Sequence, residues 1–249
     1  MSALRIVPAV CVSLGLLAAA EPTPRNKPAM AFDSHRNRLV VFGGLYEAPQ
    51  TNPPRRAAPV RNDTWEWSGS SWEQVSASGP PGRCVAAMVY DSRRKKVVLF
   101  GGQDVQGEQL GDTWEWDGTR WEQRAIEGPS PSPRSVFDMV YDSRRGRVVL
   151  LGGQQGRGKP FLNDTWTWDG RTWSEIRSPG PSPRLLHAMA YDEKRDLVVL
   201  FGGAHPPERA AMADTWLFNG REWREARAHT GSRGSERRSV KTARLLRSG

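Results

Sequence analysis

Catalytic or metal chemistry in this 249-residue chain would have to come from a small set of side chains. Its four histidines are His35, His187, His205 and His229, and no Cys/His spacing among them matches a metal site. Asp63, Asp112, Asp164 and Asp214 invite a metal or catalytic reading, but each precedes a Thr-Trp pair in the same repeated phrase. An Asp that recurs at strand starts is expected to accept backbone N–H groups in an Asx-type turn. No Ser/His/Asp set and no paired carboxylates stand apart from the repeat, so neither a catalytic group nor a cofactor or metal is expected.

The elements that must position these residues are written four times. The anchors are Asp63-Thr64-Trp65-Glu66-Trp67, Asp112-Thr113-Trp114-Glu115-Trp116, Asp164-Thr165-Trp166-Thr167-Trp168 and Asp214-Thr215-Trp216-Leu217-Phe218, each followed by an isolated Trp72, Trp121, Trp173 or Trp223. Upstream of each come a Met-x-aromatic-Asp segment and an apolar run, closed by Gly43-Gly44, Gly101-Gly102, Gly152-Gly153 or Gly202-Gly203. These short β-branched and aromatic runs, bounded by Gly, Pro, Asp and Ser, predict four strands per unit, A to D. The paired Trp of strand C share one sheet face, where core filling is the better reading than stacking on sugars. The glycine pairs are expected to permit backbone geometry or close packing that a Cβ forbids.

The Gly-Gly pair, the Pro-x-x-Arg lead-in (Pro80 to Arg83, Pro131 to Arg134, Pro181 to Arg184) and the strand D Trp make the unit resemble the kelch repeat. The resemblance, to kelch proteins of a secreted bacterial type with repeats like those of the galactose oxidase central domain, implies an all-β, kelch-type β-propeller of four blades, each of four antiparallel strands. Kelch rings typically have more blades, so four form either a tightly closed ring or an open arc that self-associates. The repeats are placed at about 24–75, 80–124, 131–176 and 181–225. Copper oxidases similar to galactose oxidase also have this architecture, but they need His and Tyr ligands and a Cys crosslinked to Tyr. Three of the four tyrosines here, Tyr90, Tyr141 and Tyr191, are repeated strand A aromatics.

Function in a repeat scaffold is sought where the copies differ. The connection Leu45 to Asn62 is about nine residues longer than its counterparts and brings Tyr46, Arg55, Arg56 and Arg61, a candidate ligand-binding loop. Asp138 stands where the other units have Ala29, Ala87 and Ala188, and His187 is peculiar to unit four, so both are candidate ligand residues. The A–B turns are rich in Lys and Arg and predict a basic rim with a weak preference for anionic partners.

Residues 1–20 read as a signal peptide, with Arg5, an apolar run and Ala18-Ala19-Ala20, which places the chain in the periplasm, the cell envelope or outside the cell. Cys84 is then the only cysteine left and is expected to be a small buried hydrophobe. The net charge of +9 sits mostly in residues 226–249, with seven Lys or Arg against Glu236, so nucleic acid is not an expected partner. That end reads as a disordered basic tail, with tethering to an anionic envelope surface as the sharper reading. The expectation for the whole is a noncatalytic exported module for a protein or glycan partner, or a structural propeller that mainly self-associates.

Overall fold

The computed structural model of the chain describes residues 21–46, 60–76, 78–205 and 210–226, and all its regular elements are strands. Blade one holds β1 (Ala29–Asp33), β2 (Arg38–Phe42), β3 (Thr64–Trp67) and β4 (Trp72–Ser76). Blade two holds β5 (Ala87–Asp91), β6 (Lys96–Phe100), β7 (Thr113–Trp116) and β8 (Trp121–Gln123). Blade three holds β9 (Asp138–Asp142), β10 (Arg147–Gln154), β11 (Phe161–Trp168) and β12 (Trp173–Ile176). Blade four holds β13 (Ala188–Asp192), β14 (Leu197–Phe201), β17 (Thr215–Phe218) and β18 (Trp223–Glu225), with a small ribbon of β15 (Ala204–His205) and β16 (Ala210–Ala211) between its second and third strands. Each four-stranded sheet is an antiparallel meander in chain order, the architecture expected from the repeat.

Local chemistry sets each hairpin. In blade one, Asp33 Oδ1 accepts the backbone N–H groups of His35 and Arg36 at 3.0 and 3.1 Å, and Asn37 takes φ +54° to close the turn. Asp91 and Asp192 do the same in blades two and four. The Asx turns are thus made by these aspartates, two strands before the ones expected to make them.

The core lies between blades rather than within them. Phe42 and Val40 of blade one pack with Leu99, Trp116 and Trp121 of blade two, and equivalent clusters join two to three and three to four. The strand D indole also bonds across: Trp121 Nε1 donates to Thr64 Oγ1 at 2.8 Å, Trp173 to Thr113 and Trp223 to Thr165 at 2.9 Å. Trp116 and Trp168 donate to the buried carboxylates Glu66 and Glu115 of the preceding blade. At the third interface both members of that pair change, to Thr167 and Phe218, so no indole N–H needs an acceptor there.

The innermost strands β1, β5, β9 and β13 pack in succession around the axis, and the blades form an open arc. Among the described residues none of these recurring contacts joins blade four to blade one. Burial shows the same break, since Phe42 and Phe100 are 0 % exposed whereas the equivalent Phe201 is 55 % exposed.

Backbone hydrogen bonds from the second glycine of each pair fasten neighbouring blades: Gly44, Gly102 and Gly153 donate to the carbonyls of Arg83, Arg134 and Arg184 at 2.8–2.9 Å. Gly102 has φ +99°, and a Cβ there would lie 2.8 Å from both Ala86 Cβ and the Cys84 carbonyl oxygen. Gly102→Val is therefore expected to lower the melting temperature sharply. Trp121→Ala, which opens a cavity at the first interface, should cost about 3–5 kcal/mol. Denaturant or thermal unfolding checks both, and a parental melting temperature for either contradicts this account of the blades.

Candidate functional site

The lead-in arginines build the frame of the axial face. Arg83, Arg134 and Arg184 are buried, and each grips its own blade's third-strand aspartate with two parallel bonds of 2.6–2.9 Å, to Asp112, Asp164 and Asp214. Each also donates to the carbonyl of the first glycine of its pair, Gly101, Gly152 or Gly202. Arg25 and Asp63 repeat the arrangement in blade one. The indoles of Trp65, Trp114, Trp166 and Trp216 complete the aspartates' bonding. Burial alone would raise Asp112 and Asp164, but the guanidinium and indole bonds outweigh it and hold both below the usual carboxylate range. These aspartates are therefore side-chain anchors, not the Asx turns the sequence led one to expect.

Two residues after each of these arginines the chain turns left-handed: Lys27, Val85, Val136 and Leu186 have φ of +49° to +58°. Such a backbone is a genuine outlier for a β-branched residue. In blades two to four it is held because the N–H reaches back one blade: Val85 to the Lys27 carbonyl, Val136 to Val85 and Leu186 to Val136, at 3.2–3.4 Å. The result is a chain of hydrogen bonds running round the axis. A cleft of about 390 Å³ opens at this mouth, with a left-handed residue from every blade in its lining. No motif reveals these residues in the sequence. Their constant offset from the lead-in arginine is the one signal that could have found them.

Asp138 and His187, separate candidates in the sequence, both line this cleft. Asp138 accepts the N–H of Met139 at 2.8 Å and that of Met189 in the next blade at 2.7 Å; burial raises its pKa, and those two bonds pull against the rise. His187 is 7 % exposed, and among the described residues neither ring nitrogen reaches a partner at hydrogen-bonding geometry. Burial, with the Arg184 charge adding to it, lowers its pKa to about 4, while the Leu151 carbonyl pulls the other way. The imidazole is neutral at ordinary pH. Lys27 brings a cation to the same rim, and Val85, Val136, Phe137 and Leu186 supply apolar surface. The arrangement suits recognition by apolar contact and a few polar groups.

Tyr46 and Arg61 do not line the cleft. They meet at the base of the long connection, the guanidinium 4.6 Å from the ring centroid, where Leu45 bridges to Val60 and Arg61 pairs through its backbone with Gly44 and Arg83. Arg55 and Arg56, residues 1–20 and the tail from Arg227 lie outside the described residues. Cys84 is buried, just ahead of β5 rather than within it, and burial raises its pKa. The expected basic rim is partly neutralised, because Arg36 bonds Asp33 and Glu66, Arg94 bonds Asp91 and Glu115, and Arg145 bonds Asp142 and Asp196. Among the described residues no three of His, Cys, Asp or Glu converge on a point where a metal ion would be held.

Meandering four-stranded blades around an axis, with Gly-Gly corners and a lead-in Arg clamped to the third-strand Asp, define a β-propeller built of kelch-type units. The KLHDC2/KLHL20/DRC7 Kelch-repeats domain matches residues 55–247, more than half of the chain, and the protein belongs to the kelch-repeat family. No curated protein matches the chain. Kelch domains are generally noncatalytic modules of protein–protein interaction, and the match supports an interaction module here.

The buried histidine makes a prediction about acid stability. The unfolded chain takes up a proton on His187 near its ordinary value of 6.5, whereas the folded chain resists until about 4. Between those values the unfolded state binds more protons, so stability falls as pH falls through the window. His187→Phe, which copies Phe137 at the equivalent position of blade three, should lessen the loss between pH 6.5 and 4. Asp138 contributes with the opposite sign in both proteins and cancels in the comparison. Urea midpoints at the two pH values check this, and identical pH slopes for the two proteins refute it.

Proposed function

We propose that this kelch protein is a noncatalytic, exported module that takes a protein partner at the axial cleft. The observation that carries the reading is convergence: the two side chains that break the repeat, Asp138 and His187, come from different blades and line one opening. The apolar, partly exposed mouth favours a peptide segment over a sugar, and a glycan partner is the alternative. Leu186 is 68 % exposed there. Asn tolerates the left-handed backbone at that position, so Leu186→Asn removes apolar contact and leaves the fold intact. Capture of a partner from envelope extracts, compared with binding to a glycan panel, should favour the protein and should weaken at least several-fold in Leu186→Asn at an unchanged melting temperature. Equal capture by the variant, or binding confined to glycans, refutes the reading.

Export rests on residues 1–20, and the basic residues beyond Ala226 fit a tether to an anionic envelope surface. Ending the chain after Ala226 should leave the melting temperature unchanged and abolish salt-sensitive adhesion to phosphatidylglycerol vesicles. Undiminished adhesion removes the tether from the proposal. One observation favours a second reading, self-association: the first and last blades each leave a face uncovered.

A further inference from the structure

The chain makes the same interface three times, and its two ends carry the unmatched halves of a fourth. At each internal interface the strand D indole of one blade donates to a threonine of the blade before it, and Trp121 and Trp173 also pack edge-on against Phe42 and Phe100 at centroid distances of 5.3 and 5.2 Å. The unmatched halves are Trp72 on blade one and Thr215 with Phe201 on blade four. At each interface, too, a hairpin arginine lies against the C–D turn glycine of the next blade: Arg36 on Gly118, Arg94 on Gly170 and Arg145 on Gly220. The corresponding Arg195 of blade four has a side chain 75 % exposed, and Gly69 of blade one has nothing among the described residues within 4 Å of where a Cβ would stand. The backbone bond from the second glycine to the next lead-in carbonyl has its remaining partners in Gly203 and Arg25.

Exposure follows the same division. Met30 and Phe32 on the outer side of β1 are 54 % and 53 % exposed, while Met88 and Met139, equivalent to Met30, are buried. On the far side of blade four, Phe201 is exposed with Ala188 and Ala190 beside it on β13. Two apolar faces of this kind are complementary, because their kin already fit one another within the molecule.

We infer that the open face of blade four docks on the open face of blade one of a second copy, head to tail, repeating between molecules the interface built within each. Such a contact is heterologous, with a different surface on each partner. The pairing rests on the self-association reading and is independent of the axial cleft. One position of the template is not matched: where Glu66 and Glu115 accept an indole N–H and a guanidinium, blade four has Leu217, facing the place of Trp67. The junction is accordingly weaker than it would be with a carboxylate there.

Light scattering and sedimentation on the chain from Glu21, the proposed mature form, test the pairing. The mass should rise with concentration. Phe201→Asp and Phe32→Asp change side chains that are exposed in the single molecule, so both variants should keep the parental melting temperature and each alone should be monomeric. Mixed together they should form a one-to-one complex, because each retains the face the other has lost. Leu217→Glu should tighten association roughly tenfold by restoring the charged acceptor, whereas indiscriminate sticking of an apolar patch would weaken. A strictly monomeric parent overturns both the pairing and the self-association reading. Association that survives in either single variant, a mixture that stays monomeric, or weakening by Leu217→Glu overturns the pairing alone.

Discussion

Each blade is closed by one ion pair, between the arginine that leads into its first strand, fully buried in blades two to four, and a half-buried aspartate at the start of its third. Removing a guanidinium from water costs several kcal/mol, and only near-complete hydrogen bonding offsets it. The arginine meets that condition with the carboxylate, the glycine carbonyl and a carbonyl two residues upstream, such as Pro81 beside Arg83 or Ser132 beside Arg134. Its own backbone carbonyl then receives the preceding blade's second glycine. One residue therefore fixes the corner of its own sheet and the seat of its neighbour. The left-handed turn two residues later, and hence the mouth of the axial cleft, inherits its position from that clamp.

The strands and the blade order were legible because burial on sheet faces imposes period-two patterns, and because four copies in phase leave little freedom of register. The partner of Asp112 was not legible. Arg83 lies 29 residues upstream, and no local rule links a strand-opening aspartate to an arginine at that distance. Nor was the strain at Val85 and Val136, since valine is among the residues least expected at positive φ. Asp138 and His187 stood out as departures from the repeat, but their common cleft is a property of how successive blades are arranged and belongs to neither blade alone. Tyr46 and Arg61 were picked out by loop length, and the fold uses them to close the base of that loop. Charge counting along the chain cannot see that Glu66 and Glu115, two strands away, reach two of the rim arginines, Arg36 and Arg94.

Stability is distributed unevenly as a consequence. Blades two and three are covered on both sides, whereas blades one and four are each supported on one, and solenoid-like arrays lose cooperativity from such ends. The aromatic pairs Trp116 with Trp121, Trp168 with Trp173 and Phe218 with Trp223 are buried against the blade before them, whereas Trp67 with Trp72 of blade one, which has no blade before it, is only half-buried.

The substitution of Thr167 and Phe218 for the Glu and Trp of the earlier interfaces makes the units grammatically unequal. A blade ending its third strand in Trp packs best after one that supplies a carboxylate, while a blade ending in Phe has no such need. Blade two could in principle be copied after itself without loss, because Glu115 would meet another Trp116. Inserting blade two after blade four would set an indole N–H against Leu217. What is inherited as a unit in this array is thus the seam between two blades, and shuffling of whole repeats is constrained by edges that a comparison of the repeats one by one does not show.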